Sequence, residues 1–428
     1  MSQTTPVTRR EFVKTAALAA AASAVPASIA RAAWAGGNET FRIGVIGCGG
    51  RGTGAAFNAL EADPATQIVA LADLFPDRLE SSRRHLAEHE TFGARAKVDP
   101  DRCHTGFDAY KQLLAGELDA VILATPPHFR PMHFAAAVAA RKHVFMEKPV
   151  AVDGPGAKLV MEIGDAAKLL GLCVVAGTQR RHENSYLAAM QKIRESQALG
   201  KIVSARCYWN QGGLWVHNRK PEYSDMEWQC RNWLYFGWLS GDHIVEQHVH
   251  NLDVINWAIG SHPAKCMGMG GRQVRTGPEY GNIFDHFAVE YIYPDGEHVM
   301  SMCRQIEGTA SRCEEVIHGS RGTALLRPGL ARITGENSWR HDGPNNNPYA
   351  QEHTNLYAAI RAGKPINEAR QVAESTLTAI MGRMSAYTGQ EVTWEQALNS
   401  TMRLGPSTYE FGPVEVPDVA VPGRTKLE

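Results

Sequence analysis

The sequence predicts an α/β protein of two domains: an N-terminal domain with a parallel sheet, and a C-terminal α+β domain with a large open, mainly antiparallel sheet. Three observations lead to this prediction. The chain has 428 residues, which is more than one hydrophobic core usually serves. In the first half, short apolar strands alternate with helical segments, as in βα units. In the second half, strands of alternating polarity follow one another through turns without helices between them.

The N-terminal residues resemble an export signal of the twin-arginine type. The stretch "TRREFVK" at 8–14 is followed by the Ala-rich run "TAALAAAASAVPASIA" and by Arg31-Ala32-Ala33. The apolar run is too short and too weakly hydrophobic for a good membrane span. We therefore predict a signal peptide over 1–33 and a periplasmic or otherwise exported mature protein that is not inserted into the membrane. A disordered or helical tail is the alternative.

The charge and the cysteines argue against several other classes of protein. With 44 basic and 45 acidic side chains the net charge is -1, which is unsuited to binding nucleic acid or an anionic membrane. The eight cysteines form no C-x-x-C pair, which argues against a zinc ribbon or a thioredoxin-like site. Because the twin-arginine route exports proteins already folded in a reducing cytosol, we expect mostly free, buried thiols.

A glycine-rich turn follows the first apolar strand, 41–46. Gly47, Gly49 and Gly52 have the G-x-G-x-x-G spacing, and a helix-compatible Ala-rich run comes next. The first glycine permits the tight turn, the second lets a pyrophosphate approach the backbone, and the third allows the helix to pack closely on the strand. The pattern is typical of a Rossmann dinucleotide-binding domain, which we place at 41–182. The predicted cofactor-binding residues of this loop are Gly47, Gly49, Gly50, Arg51 and Gly52.

The next strand, "QIVALAD", ends at Asp73, which is about twenty residues beyond the glycines, as the dinucleotide-binding pattern requires. A carboxylate at this place can accept hydrogen bonds from both adenosine ribose hydroxyls. It would repel a 2′-phosphate, so that NAD is favoured over NADP. The alternative is that Asp73 caps a helix that begins at "PDRL".

Three further strands end in polar clusters, in "LDAVILATPPH", "HVFMEKP" and "LCVVAGTQRRH". Open α/β sheets bind their ligands at the carboxyl ends of the strands, so we expect the three clusters to converge on one edge. The residues predicted there to bind the cofactor are Thr125, Pro126, His128, Glu147, Lys148 and Gln179, and those predicted to bind substrate are Arg180 and Arg181.

On the segments "GVIGCGGRG", "ATPPH" and "EKP", the chain resembles the Gfo/Idh/MocA oxidoreductases over about 41–400. That resemblance implies a two-domain, NAD(P)-dependent enzyme acting on a sugar, a sugar acid or a polyol. It also implies that Lys148, the lysine of EKP, is catalytic or positions the cofactor. An ammonium beside a nicotinamide can bond a substrate hydroxyl and stabilise a developing alkoxide. Without the resemblance, an exposed lysine at a sheet edge would explain Lys148 equally well.

The second domain, which we place at 183–400, begins with a helical run and then becomes strand-rich. "YPDGEHV" predicts a hairpin turn at 294–296 between alternating strands. Helical patterns return near the end, and the Pro-rich extension 401–428 is expected to wrap the surface or fray.

An aromatic-rich segment, 210–241, lies between the first strand of this domain, which contains Trp209, and its next helix. Aromatic faces with neighbouring amides and guanidinium groups suit carbohydrate, so we predict that Trp209 and Trp215 bind substrate. The alternative is a loop whose aromatic side chains anchor it to the protein or build an oligomer contact.

The segment "GDHIVEQHVHNLD", 241–253, is rich in histidine and acid. If 243–259 forms one α-helix, five side chains share a face and His248 points almost opposite, into a structural position. The residues on the shared face are His243, Glu246, His250, Asp253 and Trp257.

The family resemblance gives three of these residues a role, because its helix carries an acid, a histidine one turn later and a second acid three residues on. His250 is expected to act as general base or proton shuttle. Glu246 is expected to orient the sugar or the imidazole, and Asp253 to contact the substrate or hold the tautomer of His250. Glu246 departs from the family pattern, which more often has Asp there.

Two other interpretations of this helix remain open. It could be a polar face whose histidines are satisfied by hydrogen bonds. Alternatively, His243, Glu246 and His250 could converge on a metal ion, although such ligands usually need completion from another element. Helical spacing separates the histidines, so we predict no metal.

Together these residues predict an exported NAD-dependent oxidoreductase that transfers hydride between a sugar, sugar acid or polyol hydroxyl and a tightly bound nicotinamide. Free NAD(H) is recycled in the cytosol, whereas the twin-arginine route can export a folded protein with its cofactor loaded. A redox-neutral, NAD-dependent glycoside-cleaving enzyme and a catalytically silent sugar-binding homologue are the alternatives. The resemblance also implies a homo-oligomer, because the family's open sheet often pairs between subunits.

Overall fold

The computed structural model describes residues 40–427, which form two sheets with their associated helices. The predicted fold class is confirmed: a parallel α/β domain is followed by an α+β domain whose sheet is mixed and mostly antiparallel. The predicted signal peptide, 1–33, lies outside the described residues. None of the helices within 40–427 has the length and apolar character that crossing a membrane requires.

The first sheet has six parallel strands in the order β3-β2-β1-β4-β5-β6. Its strands are β1 (Phe41–Ile46), β2 (Thr66–Asp73), β3 (Cys103–Thr105), β4 (Ala120–Leu123), β5 (His143–Met146) and β6 (Val174–Ala176). Because β1 and β4 are neighbours, the strand order reverses between them. Open α/β sheets form their ligand crevice at such a switch point.

Helices on both faces explain why these strands are continuous apolar runs. All four residues of β4 are buried, as are all residues of β1 except Arg42. The helices of this domain are α1 (Gly50–Ala62), α2 (Pro76–Ala87), α3 (Ala109–Leu114), α4 (Arg130–Ala139) and α5 (Gly154–Leu169).

The second sheet has nine strands in the order β14-β13-β12-β11-β7-β10-β9-β8-β15. Its neighbouring strands run antiparallel except for β7 and β10, which are parallel. The strands are β7 (Ile202–Gln211), β8 (Lys265–Gly271), β9 (His286–Ile292), β10 (His298–Gln305), β11 (Arg312–Gly319), β12 (Gly322–Arg327), β13 (Leu330–Gly335), β14 (Trp339–Arg340) and β15 (Val392–Thr393). The predicted hairpin turn joins β9 to β10, with Gly296 at a φ of 87°.

The helices of the second half pack on one face of this sheet or return to the first domain. They are α6 (Asn184–Met190), α7 (Asp225–Arg231), α8 (Gly237–Ser240), α9 (His243–Glu246), α10 (Val249–Ile259), α11 (Pro348–Ala362), α12 (Ala369–Thr388) and α13 (Trp394–Asn399). Helix α12 lies between the two domains, in contact with α5 on one side and with β8 and α10 on the other.

Helix α11 belongs in space to the first domain. It packs along α1, where the ring of Tyr357 stacks on Phe41 with the centroids 4.8 Å apart. Arg361, at its carboxyl end, is paired with Asp63 just after α1. Although α11 lies within the segment 183–400 that we assigned to the second domain, it completes the wall of the first.

The single helix predicted over 243–259 is wrong, because the structure has two helices, α9 and α10, with a break at Gln247–His248. The side chain of Asp242 accepts a hydrogen bond from the amide of His243 at 2.5 Å and so caps α9. At the break, Nε2 of His248 lies 2.7 Å from the hydroxyl of Ser301 on β10. Contacts with the sheet therefore fix the two helices separately.

All eight cysteines lie within the described residues, six buried and two partly exposed, and none of them forms a disulfide there. Burial raises the pKa of the Cys207 thiol, which keeps it protonated and unreactive.

Candidate active site

A cleft of about 800 Å³ opens at the carboxyl ends of the parallel strands, lined in part by the glycine-rich loop. Two of the loop glycines are required by close packing. Gly47 has a φ of 99°, and a Cβ there would lie 2.6 Å from the backbone of Ala124. A Cβ on Gly52 would lie 1.8 Å from the carbonyl oxygen of Gly47. At Gly49 and Gly50 a Cβ would meet nothing within 4 Å, so the backbone there is open to a ligand.

Helix α1 begins at Gly50 with its amino end at this loop, and its first turn carries no acidic side chain. The unpaired amides and the helix dipole at such an end attract a phosphate. The open backbone, the helix end and the volume of the cleft fit the pyrophosphate of a dinucleotide. The glycine loop therefore lies just beyond β1 and lines the cleft.

Asp73 lines the same cleft at the end of β2. Its two carboxylate oxygens accept hydrogen bonds from the amides of Cys48 (2.6 Å) and Phe75 (2.9 Å). Burial raises the pKa of Asp73, while the two amide donors oppose that rise. Helix α2 begins at Pro76 with Phe75 in the capping position, so Asp73 is not its cap. Its remaining lone pairs are available to ribose hydroxyls.

The buried side chain of Arg130 joins two strand ends that carry predicted cofactor residues. It donates to the carbonyl of Thr125 (2.7 Å) and to that of Glu147 (2.9 Å). Burial lowers the pKa of Arg130 to about 10, so it remains charged near neutral pH. The sequence interpretation missed this residue, although an arginine at the start of the apolar run 130–140 was a usable signal.

One predicted cofactor residue, His128, lies elsewhere. Thr125 and Pro126 line the cleft, whereas His128 turns towards the C-terminal extension, where its Nε2 lies 2.8 Å from the hydroxyl of Tyr409. Its ring also meets Trp238 edge-on at 4.9 Å. Because the chain turns into a 3-10 helix at Pro127, His128 points away from the strand edge.

Arg51, Glu147 and Gln179 converge at one side of the cleft. Nε of Arg51 lies 3.0 Å from Oε1 of Glu147, and its guanidinium lies over the ring of Tyr349, 5.2 Å from the centroid. The amide of Gln179 donates to the hydroxyl of Tyr349 at 3.4 Å. Tyr349, on α11, was missed because nothing in its local sequence connects it with the first domain.

A second carboxyl group, that of Glu352, is fully buried behind this group. Neither of its oxygens has a hydrogen-bond partner among the described residues. Burial, and next the negative charge of Glu147, raise the pKa of Glu352 well above its ordinary value. The carboxyl group of Glu352 is therefore held in its neutral form.

Lys148 and Glu246, predicted to be catalytic from opposite halves of the chain, are in direct contact. Nζ of Lys148 donates to the backbone carbonyl of Glu246 at 2.6 Å and lies 3.2 Å from its Oε1. Both side chains are only 13% exposed. The ammonium is thus fixed where the end of β5 meets the end of α9.

His250 lies in the same region, on the first turn of α10, with its ring stacked on Trp209 at 5.7 Å between centroids. Burial lowers the pKa of His250 well below its ordinary value, and the charges of Lys148 and Arg180 lower it further. The imidazole is therefore neutral and able to accept a proton.

Arg180, Arg181 and Asp253, predicted to bind substrate, are committed to buried ion pairs. Arg181 contacts both carboxylate oxygens of Asp253, at 2.8 and 3.0 Å, and Ser375 donates to the same carboxylate at 2.7 Å. Asp253 therefore does not hold the tautomer of His250.

Arg180 holds the stacked pair of Trp209 and His250 in place rather than contacting substrate. It is paired with the buried Glu315, and its guanidinium lies over the ring of Trp209, 5.6 Å from the centroid. Asn251, next to His250, donates to the same Glu315 carboxylate at 2.5 Å. This network fixes both members of the Trp209–His250 stack.

Trp215 is placed differently from the prediction, since it lines the dinucleotide cleft on the Asp73 side. The residue is 42% exposed, and its ring forms a cluster with His217 and Trp233.

The metal interpretation of His243, Glu246 and His250 is not supported by the geometry. Within residues 40–427, no group of three or more His, Cys, Asp or Glu side chains is arranged to hold a metal ion. His243 is buried against Phe287, edge to face at 5.1 Å.

Comparisons with known proteins agree with the two-domain architecture. Residues 41–179 match the family described as "Oxidoreductase family, NAD-binding Rossmann fold", and residues 187–325 match the "GFO/IDH/MocA C-terminal domain". Inositol 2-dehydrogenase of Acidothermus cellulolyticus is 24% identical over 364 residues, which cover 83% of this chain and 90% of the relative.

Two further relatives differ in what their names describe. The 2,7-anhydro-N-acetylneuraminate hydratase of Escherichia coli is 28% identical over 226 residues, 51% of this chain and 55% of the hydratase, so the match spans about half the length of that relative. The crystal structure of an aldose-aldose oxidoreductase from Caulobacter crescentus, complexed with glycerol, aligns with a TM-score of 0.64 at 15% identity over 83% of this chain and 100% of that one. The second likeness shows a shared fold.

Proposed function

The chain belongs to the GFO/IDH/MocA family of NAD-binding oxidoreductases, and on that premise we propose that it transfers hydride between a hydroxyl of a sugar, sugar acid or polyol and NAD. The observation that carries the proposal is the contact of Lys148 with Glu246 just beyond β5, near enough to His250 for the Lys148 charge to lower the pKa of that imidazole, at the sheet edge that also holds the glycine loop. An inositol dehydrogenase among the relatives supports a polyhydroxylated substrate.

The residues of the cleft fit the dinucleotide. The loop amides from Gly49 to Arg51 would hold the pyrophosphate, and Asp73 would accept from the ribose hydroxyls of the adenosine. NAD held there would supply the hydride acceptor for the carbon that carries the reacting hydroxyl.

The protein's own residues then manage the proton. The neutral imidazole of His250 accepts the hydroxyl proton as the carbon is oxidised, and returns it in the reverse direction. The ammonium of Lys148, oriented by two contacts with Glu246, donates to the same oxygen and stabilises its negative charge. Trp209 supports the imidazole by stacking on it.

The test is to incubate the purified full-length chain with a panel of sugars, polyols and glycosides while following the absorbance of bound reduced nicotinamide and the products released. We expect reduction of the cofactor without cleavage of the substrate. A chain that leaves the cofactor oxidised with every member of the panel would refute the proposal.

A redox-neutral reaction is the second candidate, and the hydratase relative favours it, since its name describes chemistry without net oxidation. In such a reaction the hydride returns to the substrate after a bond has broken. Release of a cleaved or dehydrated product with no net reduction of the cofactor would select this candidate in the same assay.

We further propose that the chain is exported with NAD already bound. The N-terminal sequence supports this, since "TRREFVK" and the run that follows resemble a twin-arginine signal. Fractionation of the source cells, with mass spectrometry of the cofactor released on denaturing the mature protein, tests both parts. Cytosolic protein that retains its first 33 residues would contradict export, and empty protein would contradict loading.

The outer face of the nine-stranded sheet supports a homo-oligomer. Met267 and Met269 on β8 and Met300 and Met302 on β10 are all exposed on this face, separated only by β9. An apolar patch of this kind is typical of a protein–protein contact. Light scattering of the purified chain should give a dimer or tetramer, and Met269→Lys should shift it towards the monomer, whereas the Lys variant of exposed Leu169, on α5, should not.

A further inference from the structure

The adenosine half of the cleft has a second wall, which comes from the C-terminal domain. The segment 212–236, which we call the strap, runs from the end of β7 to the start of α8. Its residues Trp215, His217, Cys230 and Trp233 line the cleft together with Asp73. Nothing in the proposed chemistry at His250 requires this wall, so its placement beside the ribose-binding carboxylate needs another explanation.

Internal hydrogen bonds fix the shape of the strap. The hydroxyl of Tyr235 donates to the carbonyl of Trp215 at 2.8 Å, and the indole of Trp228 donates to the carbonyl of His217 at 3.0 Å. The amide of His217 donates to the side chain of Asn232 at 2.9 Å. Trp215 therefore presents its exposed ring to the cleft from a rigid support and loses little freedom on contact with a ligand.

Arg231 locks the strap to the first domain directly beyond Asp73. Its guanidinium forms two hydrogen bonds of 3.0 Å with Asp77 on α2 and lies 4.0 Å from the ring centroid of Phe75. Arg78, also on α2, donates to the carbonyl of Arg231 at 3.0 Å. The carboxylate of Asp77 raises the pKa of Arg231 despite its partial burial, so the contact keeps its charge.

Residues 411 and 412 of the C-terminal extension close the same edge from outside. Phe411 packs on Phe107 and on Phe75, with ring centroids 5.4 and 6.2 Å apart. The carbonyl of Gly412 accepts from the amide of Met226 on α7 at 3.1 Å. The extension thus contacts both the strap and the first-domain loops that line the cleft.

We propose that the strap and residues 404–414 form a clasp that retains the dinucleotide by its adenosine half. Trp215 contacts the bound nucleotide, and the Arg231 lock must open before the adenosine can leave. The clasp rests on the proposed function only in assigning NAD to the cleft. It adds a physical reason why the cofactor would stay bound through many turnovers.

The test measures release of NAD from the loaded full-length protein. Loaded protein is diluted into excess ADP-ribose, and NAD that remains bound is separated by rapid desalting and counted at increasing times. Arg231→Ala and Trp215→Ala are each expected to release NAD about tenfold faster than the natural chain. The matched control is Arg370→Ala, because Arg370 is also paired with an aspartate, Asp165 on α5 at 2.7 Å, and neither residue lines the cleft. It should release NAD at the natural rate.

Exchanging the charges of Arg231 and Asp77 distinguishes the loss of this ion pair from a general loss of stability. In Arg231→Asp combined with Asp77→Arg the pair is restored with its polarity reversed, and slow release should return at least in part. Thermal unfolding of each variant without cofactor gives its fold stability, so that a loss of the aromatic contacts of Trp215 is measured separately from the release of NAD.

Several results would overturn the clasp. One is release from both single variants at the natural rate, another is equal acceleration in Arg370→Ala, and a third is exchange of NAD from the natural chain within the mixing time. The last would leave the proposed hydride transfer intact with a freely exchanging cofactor. Slow release without turnover of any sugar would instead support the clasp while the proposed function failed.

Discussion

Replacing Asp253 by alanine separates two roles for this carboxylate, substrate contact and structural support. In the natural chain the side chain is fully buried and accepts two hydrogen bonds from Arg181 and one from Ser375. Removing it leaves the guanidinium of Arg181 without its counter-charge and the hydroxyl of Ser375 without its acceptor. D253A should therefore destabilise the fold.

The size of the loss follows from those contacts. Breaking a buried ion pair by removing one partner costs about 3–5 kcal/mol. Arg181 retains 14% exposure and a stacking contact with Trp257, so the lower end of that range applies. The unsatisfied Ser375 adds about 1 kcal/mol. We expect a loss of about 4 kcal/mol in the free energy of unfolding, or a fall in Tm of about 5 °C for a chain of 428 residues.

The assay is thermal and urea unfolding of the cofactor-loaded protein, followed by KM and kcat for the best substrate of the panel at a temperature where the variant is folded. The matched control is Asp165→Ala, which removes an exposed pair with Arg370 and should cost no more than about 0.5 kcal/mol. A D253A protein with natural stability and a KM raised more than about tenfold would refute the structural role and restore the direct substrate contact that the sequence suggests.

Three further predictions follow from the site. His250→Asn removes the proton acceptor, so kcat should fall by about 10²–10⁴ with the content of bound NAD unchanged. His298→Gln changes an exposed histidine at the start of strand β10 and should leave both quantities unchanged, and an active H250N would contradict the assignment. Burial lowers the pKa of His128 to about 4 and that of His133 to about 3, so the unfolded state binds more protons than the folded state below about pH 6.5. The free energy of unfolding should therefore fall as the pH decreases from about 6.5 towards 4, by up to about 1.4 kcal/mol per pH unit for each histidine. Urea midpoints that do not change with pH would argue against the burial of neutral histidines. Arg130→Met removes the hydrogen bonds to the carbonyls of Thr125 and Glu147 at two strand ends, so calorimetry should show NAD binding weakened about tenfold. An unchanged affinity would show that the contacts of Arg130 with the two carbonyls do not shape the cleft.

Those features that depend on neighbouring residues could be predicted from the sequence. Gly52 is constrained by a contact inside its own strand-turn-helix unit, and Gly47 by the positive φ of the same turn, so their spacing was sufficient. Asp73 follows from the same unit, since it ends the next strand of a parallel sheet. The hairpin at 294–296 and the antiparallel character of the second sheet are equally local.

Features that depend on distant partners could not be predicted from pattern alone. Helical spacing indicated which side chains share a face with His250, but not that Arg181 would face Asp253. The break at His248 results from a bond to Ser301, 53 residues further on. The contact of Lys148 with Glu246 spans 98 residues, and only the family resemblance brought the two together in advance.

Trp215 illustrates a further reason for failure. An exposed aromatic ring with polar neighbours suits a sugar and a nucleotide base equally well, so composition does not choose between them. Its location is decided by Tyr235 and by the Arg231–Asp77 contact, neither of which has a sequence signature.

Helix α12, Ala369–Thr388, has a consequence for how this chain can be recombined with its relatives. Sixteen of its 20 residues are buried, because it fills the space between α5 of the first domain and the sheet of the second. At Gly382 a Cβ would lie 2.1 Å from the hydroxyl of Tyr291, so even the smallest added side chain would disturb that sheet. A chimera that takes the nine-stranded sheet from a relative must therefore take α12 and α5 from the same relative. The segment to be exchanged as a unit includes the helix pair α5–α12 at the junction and is not either domain alone.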